Sequence, residues 1–269
     1  YLWNPSVKQL IIDPIADLCH IKLCWHRLKI SHTPYPAFDD QHVVKSFQIR
    51  TIGKSTLLSI IAGLLAPEEG EVLYRGLSSR DYCPESTLKI GYMLQRDHLF
   101  EWRTVYQNVI LGLELTHSLT KENTDYILKL LKDYGLIGFK DKKPSELSGG
   151  MRQRAALIRT MAVHPDLLLL DEPFSALDFQ TRLSVSADIA NIIRETGKTA
   201  LLITHDLSEA ITLADRVIVL SRRPAGVKRE MEIRYEIGRE DPLAVRGTAA
   251  YQEYFNQLWE VLTDDKTIA

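Results

Sequence analysis

Alternating apolar and polar positions predict the first extended segments of the chain. Leu28 to His32 (LKISH) and Val43 to Ile49 (VVKSFQI) both carry the period of a strand. The TPYPAFDD stretch between them, with two prolines and two aspartates, is turn chemistry. From Gly53 to Leu65 (GKSTLLSIIAGLL) the apolar residues recur at helical spacing, and Pro67 with Gly70 stops the helix. Glu71–Tyr74 and Ile90–Leu94 read as short strands, and residues 104–137 keep a helical period with few breakers. A further helix follows Ser148 (GGMRQRAALIRTMAV). Leu167 to Leu170 is an unbroken apolar run ending in Asp171 and Glu172, as a strand buried on both faces of a parallel sheet would be. Residues 180–196 predict a helix, Thr199–Thr204 and Arg216–Leu220 predict strands, and residues 248–262 predict the last helix. Residues 1–26 mix apolar and charged positions without clear alternation, and the pattern gives them no role. Strands alternating with helices argue for an α/β fold around a mostly parallel sheet.

Composition narrows the classes. A chain of 269 residues can bury one large α/β domain with a small appendage. The formal net charge of -2 offers no broad basic surface, so nucleic acid is not an expected partner. No stretch approaches the roughly 18 apolar residues of a membrane span, and the first residues lack a signal-peptide layout. Cys19, Cys24 and Cys83 form no disulfide framework, which suits a reducing, cytoplasmic setting. Cys19-His20 and Cys24-x-His26 lack the spacing of a structural zinc site and read as ordinary residues of an apolar segment.

Phosphate chemistry enters at Gly53-Lys54-Ser55-Thr56, which opens a helix. It matches the second half of a P-loop, G-x-x-x-x-G-K-[ST]. Free N–H groups and the positive end of the helix dipole favour phosphate there. Lys54 is placed to reach the β- and γ-phosphates, and the Ser55 hydroxyl to ligate Mg²⁺. The tetrapeptide alone also fits an ordinary capped helix start. The front half of the loop departs from the motif: Gln48 stands where the first glycine belongs, and QIRTI contains no glycine. Wrapping a phosphate with consecutive N–H groups needs a residue tolerant of positive φ. Val43–Ile49 is also more polar than the buried strand that normally feeds such a loop. Either about ten residues are absent between Ile49 and Thr51, the reading favoured here because the downstream motifs are intact, or the loop is degenerate. Asp171 and Glu172 end the next apolar strand; a P-loop enzyme needs a carboxylate there for Mg²⁺, which suits Asp171, and a general base, which suits Glu172.

The segment Leu147 to Arg154, LSGGMRQR, decides the family. Ser148 can cap a helix whose first residues, Gly149 and Gly150, leave backbone open to a second phosphate. This segment resembles the signature of the ABC ATPases. The resemblance covers residues 28–262, with residues 1–27 and 263–269 outside it, and implies a P-loop NTPase core, an antiparallel β subdomain and a helical subdomain at about 96–160. It assigns Gln95 to the Q-loop, Ser175 to Asp178 to the D-loop, and His205 to the switch that contacts the γ-phosphate. Mg²⁺ would then be held by Ser55, Gln95 and Asp171, and the adenine would stack on Tyr35, or on Trp25 if the chain is continuous. The run LFEWRTVYQNV and the tail VIVLSRRPAGVKREMEI look like those of nitrate, sulfonate and taurine-type importers, with Glu101 in place of a proline. Terminal-helix aromatics Tyr254, Phe255 and Trp259 read as packing of one helix face.

That likeness implies an ATP-hydrolysing importer subunit, working as a head-to-tail homodimer at the cytoplasmic face of the membrane. Its partners would be integral permease subunits and, through them, a solute-binding protein. ATP would lie between the Lys54 side of one subunit and Ser148-Gly149-Gly150 of the other. Two rivals stand beside this reading. A non-transport ABC ATPase usually carries a long coiled coil between its ATP motifs, and no heptad array separates Gln95 from Ser148. A non-hydrolysing, degenerate domain follows if QIRTI is a true loop.

Overall fold

The computed structural model describes residues 9–12, 44–49, 54–67, 71–74, 77–78, 89–220, 227–237 and 241–263. In chain order the elements are β1 (Gln9–Ile12), β2 (Val44–Ile49), α1 (Lys54–Ile61), β3 (Glu71–Tyr74), β4 (Leu77–Ser78) and β5 (Ile90–Met93). Three helices follow, α2 (Val105–Val109), α3 (Leu111–Leu115) and α4 (Lys121–Asp133), then α5 (Gly149–Met161) and β6 (Leu167–Asp171). The chain continues through α6 (Phe179–Glu195), β7 (Thr199–Thr204), α7 (Leu207–Leu213), β8 (Arg216–Leu220), β9 (Val227–Glu232), α8 (Pro242–Arg246) and α9 (Ala249–Thr263).

The main sheet has the order β5-β6-β7-β2-β8-β9. Its first five strands run parallel, and β9 returns antiparallel to β8. Successive side chains of a strand point to opposite faces, so a strand covered on both sides must be apolar throughout. β6 shows this directly. Leu168 and Leu170 join the core cluster with α5, α6, α7 and α9, whereas Leu167 and Leu169 join the cluster on the other face. β7 and β8 divide likewise, Ala200, Leu202, Val217 and Val219 to one side and Leu201, Ile203, Ile218 and Leu220 to the other. Leu57, Leu58 and Ile61 of α1 cover that second face. The result is a helix–sheet–helix sandwich of the P-loop NTPase class.

Val44–Ile49 lies between β7 and β8, parallel to both, with Phe47 opposite Ile203 and Ile218. This corrects the expectation that the segment is too polar for the strand feeding the phosphate loop. Interior pairing is made by backbone groups that every residue carries, and strand preference depends heavily on neighbours. Here both neighbours are buried over nearly their whole length.

A smaller sheet has the order β1-β3-β4. Its β3–β4 pair is antiparallel, as expected for this subdomain, but β1 pairs with β3 in parallel, Leu10 opposite Val72. A long intervening chain makes that direction possible. Gln9–Ile12, in the stretch given no role by pattern, is thus a strand; four residues are too few to show a period. The predicted strand at residues 28–32 lies outside the described residues.

The expected helical run over 104–137 is three helices. Thr104 and Gln107 close a capping box that starts α2, and Thr120 caps α4. α5 and α6 pack closely where Gly150 faces Thr181 and Val185. No helix among the described residues is long and apolar enough to cross a membrane.

Candidate functional site

In an open parallel sheet, ligands bind beyond the carboxyl ends of the strands. β6 ends at Asp171, β7 at Thr204 and β2 at Ile49, and α1 starts at Lys54, so the sequence-predicted groups gather at this end. Asp171 is 4% exposed, the last residue of its strand. Glu172 follows with φ of 45°, a left-handed conformation uncommon for residues other than glycine. Its N–H donates to the Ile203 carbonyl at 2.8 Å, which fixes the turn against β7. Ser175 donates back to the Glu172 carbonyl through its hydroxyl, at 3.0 Å.

Three predicted residues meet at one atom. Glu172 Oε2 accepts from Gln95 Nε2 at 3.2 Å and lies 3.2 Å from His205 Nδ1. Glu172 is mostly sheltered, at 17% exposure, while the His205 side chain is 56% exposed. The Gln95 amide donates to Glu172, which leaves its carbonyl oxygen facing away from that bond. Ser55, Gln95 and Asp171 are all oxygen donors of the kind Mg²⁺ selects, so the donor set fits the metal. Among the described residues no cluster of three His, Cys, Asp or Glu side chains offers a metal site of another kind.

The second predicted phosphate site is the start of α5. Ser148 is its N-cap and accepts from the Met151 N–H at 3.4 Å. Gly149 and Gly150 are the first helical residues. Asp178 caps α6 by accepting from Thr181 N–H at 3.1 Å, and hydrogen bonds from the Thr181 hydroxyl, then from that N–H, hold its carboxyl below the usual range. Ser55 and Thr56 are exposed in the first turn of α1. Gly53, Tyr35 and Trp25 lie outside the described residues, as does the side chain of Lys54.

Two charged groupings were missed by the motifs. Arg152 grips Asp97 with two hydrogen bonds, at 2.9 and 3.1 Å, and reaches Glu101 at 2.8 Å. Arg159, two turns further along α5, donates to the Asp97 and His98 carbonyls at 2.6 and 2.7 Å. Burial opposes the ionised form of Asp97, but Arg152 and the Leu99 N–H outweigh it and hold the carboxyl below its usual range. The segment after Gln95 is therefore bound to the signature helix, and Glu101, in its unusual place, extends the bridge. The second grouping lies behind His205. Glu209 is 5% exposed and accepts from the Thr204 hydroxyl at 2.5 Å. Its only sequence signal is a carboxylate on the core-facing side of a short apolar helix, at helical spacing from Leu213.

Comparison with known proteins bears on the family. A family model described as ABC transporter matches residues 51–175. An uncharacterised ABC transporter ATP-binding protein of Bacillus subtilis, YtlC, is 47% identical over 210 residues, covering 78% of this chain and 79% of that protein. The nitrate import ATP-binding protein NrtD of Synechocystis is 44% identical over 190 residues, covering 71% and 70% respectively. Among solved structures, the dimeric post-hydrolysis state of the ATP-binding cassette MJ0796 bound to ADP and Pi superposes with a TM-score of 0.61 at 30% identity, over 78% of this chain and 91% of that one. The signature helix, the Asp171–Glu172 strand end and this likeness together place the chain in the ABC transporter family, as one of its ATP-binding subunits and hence an ATPase.

Proposed function

We propose that this chain drives uptake of a small solute, such as nitrate, a sulfonate, taurine, bicarbonate or a vitamin precursor, by hydrolysing ATP as one of two subunits on the cytoplasmic side of a permease. The convergence of Gln95 and His205 on Glu172 carries the catalytic part of this reading. The likeness to a nitrate importer subunit supports the direction of transport and the solute class.

Lys54 and the α1 N–H groups bind the β- and γ-phosphates. Ser55, Gln95 and Asp171 would hold Mg²⁺, which would supply charge neutralisation for phosphoryl transfer. Glu172, sheltered and oriented by Gln95, takes the proton of the attacking water. His205, exposed beside it, donates to the γ-phosphate. Ser148 and the N–H groups of Gly149 and Gly150 close on that phosphate from the second subunit, so its release lets the pair separate. Asp178, capping α6, lies at the same subunit boundary. An aromatic face, Tyr35 or Trp25, stacks on the adenine. The permease meets the surface near Phe100 and Trp102, beside the buried Leu99, where the two rings lie 4.7 Å apart and tilted and Trp102 is 72% exposed. A solute-binding protein delivers the solute on the opposite side.

Phosphate release by the purified chain should require Mg²⁺ and fall to background in EDTA; turnover that survives EDTA would remove the metal from this scheme. In the assembled transporter, Trp102→Ala should lower transport per ATP hydrolysed while the isolated subunit keeps its turnover. Fully coupled transport by that variant would place the permease elsewhere.

A further inference from the structure

Two turns leave adjacent strands at the catalytic end of the sheet. One runs from Glu172 to Asp178 after β6, the other from His205 to Asp206 after β7. They meet at the exposed His205–Glu172 contact. A second link spans them on the more buried side. Arg182, in the first turns of α6, donates through one terminal nitrogen to the Leu177 carbonyl at 3.0 Å and through the other to Asp206 Oδ2 at 3.4 Å. Its Nε lies 3.9 Å from Glu209 Oε1 and has no hydrogen-bond partner of its own. Glu209 is anchored in turn by Thr204, whose hydroxyl also accepts the Asp206 N–H at 3.0 Å. Asp206 completes the arrangement by capping α7 through the Ser208 and Glu209 N–H groups.

We propose that Arg182 is a positioning residue for ATP hydrolysis: its guanidinium ties the Ser175–Asp178 turn to the His205 turn, with Glu209 holding it in place from the interior. This rests on the roles given above to Glu172 and His205. A fork is needed because two acceptors on different turns must be met at once, and a guanidinium does so with fixed geometry. Glu209 makes the link responsive to protons. Burial pushes its carboxyl up to about 7, against the Thr204 hydrogen bond; Asp206 adds to the rise, and Arg182 with Arg246 of α8 opposes it. From α9, Tyr251 donates to Ser208 one residue away. When ionised, Glu209 attracts Arg182; when protonated, it releases part of that hold. Turnover should therefore rise as pH increases through about 7.

The test is kcat and KM for MgATP across pH for wild type, Arg182→Gln, Arg182→Lys and Glu209→Gln, with thermal melts of each. Misplacement of about 1 Å can cost on the order of 100-fold in rate. Arg182→Gln is expected to lower kcat by about 10- to 100-fold with little change in KM, and Arg182→Lys, which keeps charge but not the fork, to recover only part of it. Glu209→Gln should lose the rise near neutrality that wild type shows. An unchanged kcat in Arg182→Gln, a pH step that persists in Glu209→Gln, or a change confined to melting temperature would each overturn the proposal. Hydrolysis by wild type and its loss in Glu172→Gln, measured alongside, report separately on the underlying site.

Discussion

Replacing Glu172 by glutamine is expected to cut ATP turnover by about 100- to 10,000-fold, the usual contribution of a general base, and to leave ATP binding in place. The substitution changes no volume. Gln95 and His205 both converge on Oε2, so the amide keeps at least one partner there. The Glu172 N–H bond to Ile203 and its carbonyl bond from Ser175 belong to the backbone and are untouched. Only the capacity to accept a proton is lost. Steady-state phosphate release together with equilibrium binding of a fluorescent ATP analogue separates the two effects. Turnover within a few-fold of wild type would move the base elsewhere; lost binding would mean that Glu172 shapes the pocket instead.

Gly150→Ala should destabilise the fold by about 1–3 kcal/mol, the usual range for overpacking, and weaken hydrolysis with it. A Cβ at this position would lie 2.8 Å from Thr181 Cγ2 and 2.9 Å from Val185 Cγ2. Alanine normally favours a helix over glycine by up to about 1 kcal/mol, so two terms compete. Both facing residues are β-branched and stiff at χ1, and both stand on α6, which starts from the Asp178 cap. Neither methyl can swing away without moving that helix, so the clash wins. The displaced helix start carries Ser148 and Gly149, which ties the stability cost to the signature site. Chemical denaturation checks the stability, and phosphate release checks the activity. A variant as stable and active as wild type would show that α5 and α6 separate easily.

Much of this was legible in the sequence because buried parallel strands leave long apolar runs. Leu167–Leu170 and Thr199–Thr204 appear in the structure where the pattern puts them. Gln95, Glu172 and His205 are far apart in the chain, and only the family likeness joined them; the fold brings them to one oxygen atom. Val44–Ile49 misled because its polarity argued against a central parallel strand, whereas its place was set by pairing with β7 and β8. Gln9–Ile12 was too short to carry a period. Arg182 and Glu209 escaped for a different reason. Their meaning lies in the pairing of two helices that no local spacing encodes, and a lone arginine after a helix cap reads as solvated surface. The left-handed turn at Glu172 is likewise invisible to composition.

The most direct test of the account is the ATP-dependent association of Glu172→Gln, followed by sedimentation velocity with and without MgATP. ATP held between the α1 start of one subunit and the Ser148–Gly150 start of the other requires two chains per closed site. The variant, unable to hydrolyse, should sediment as a dimer with ATP and as a monomer without it. A monomer at saturating ATP, with nucleotide demonstrably bound, would contradict the shared site.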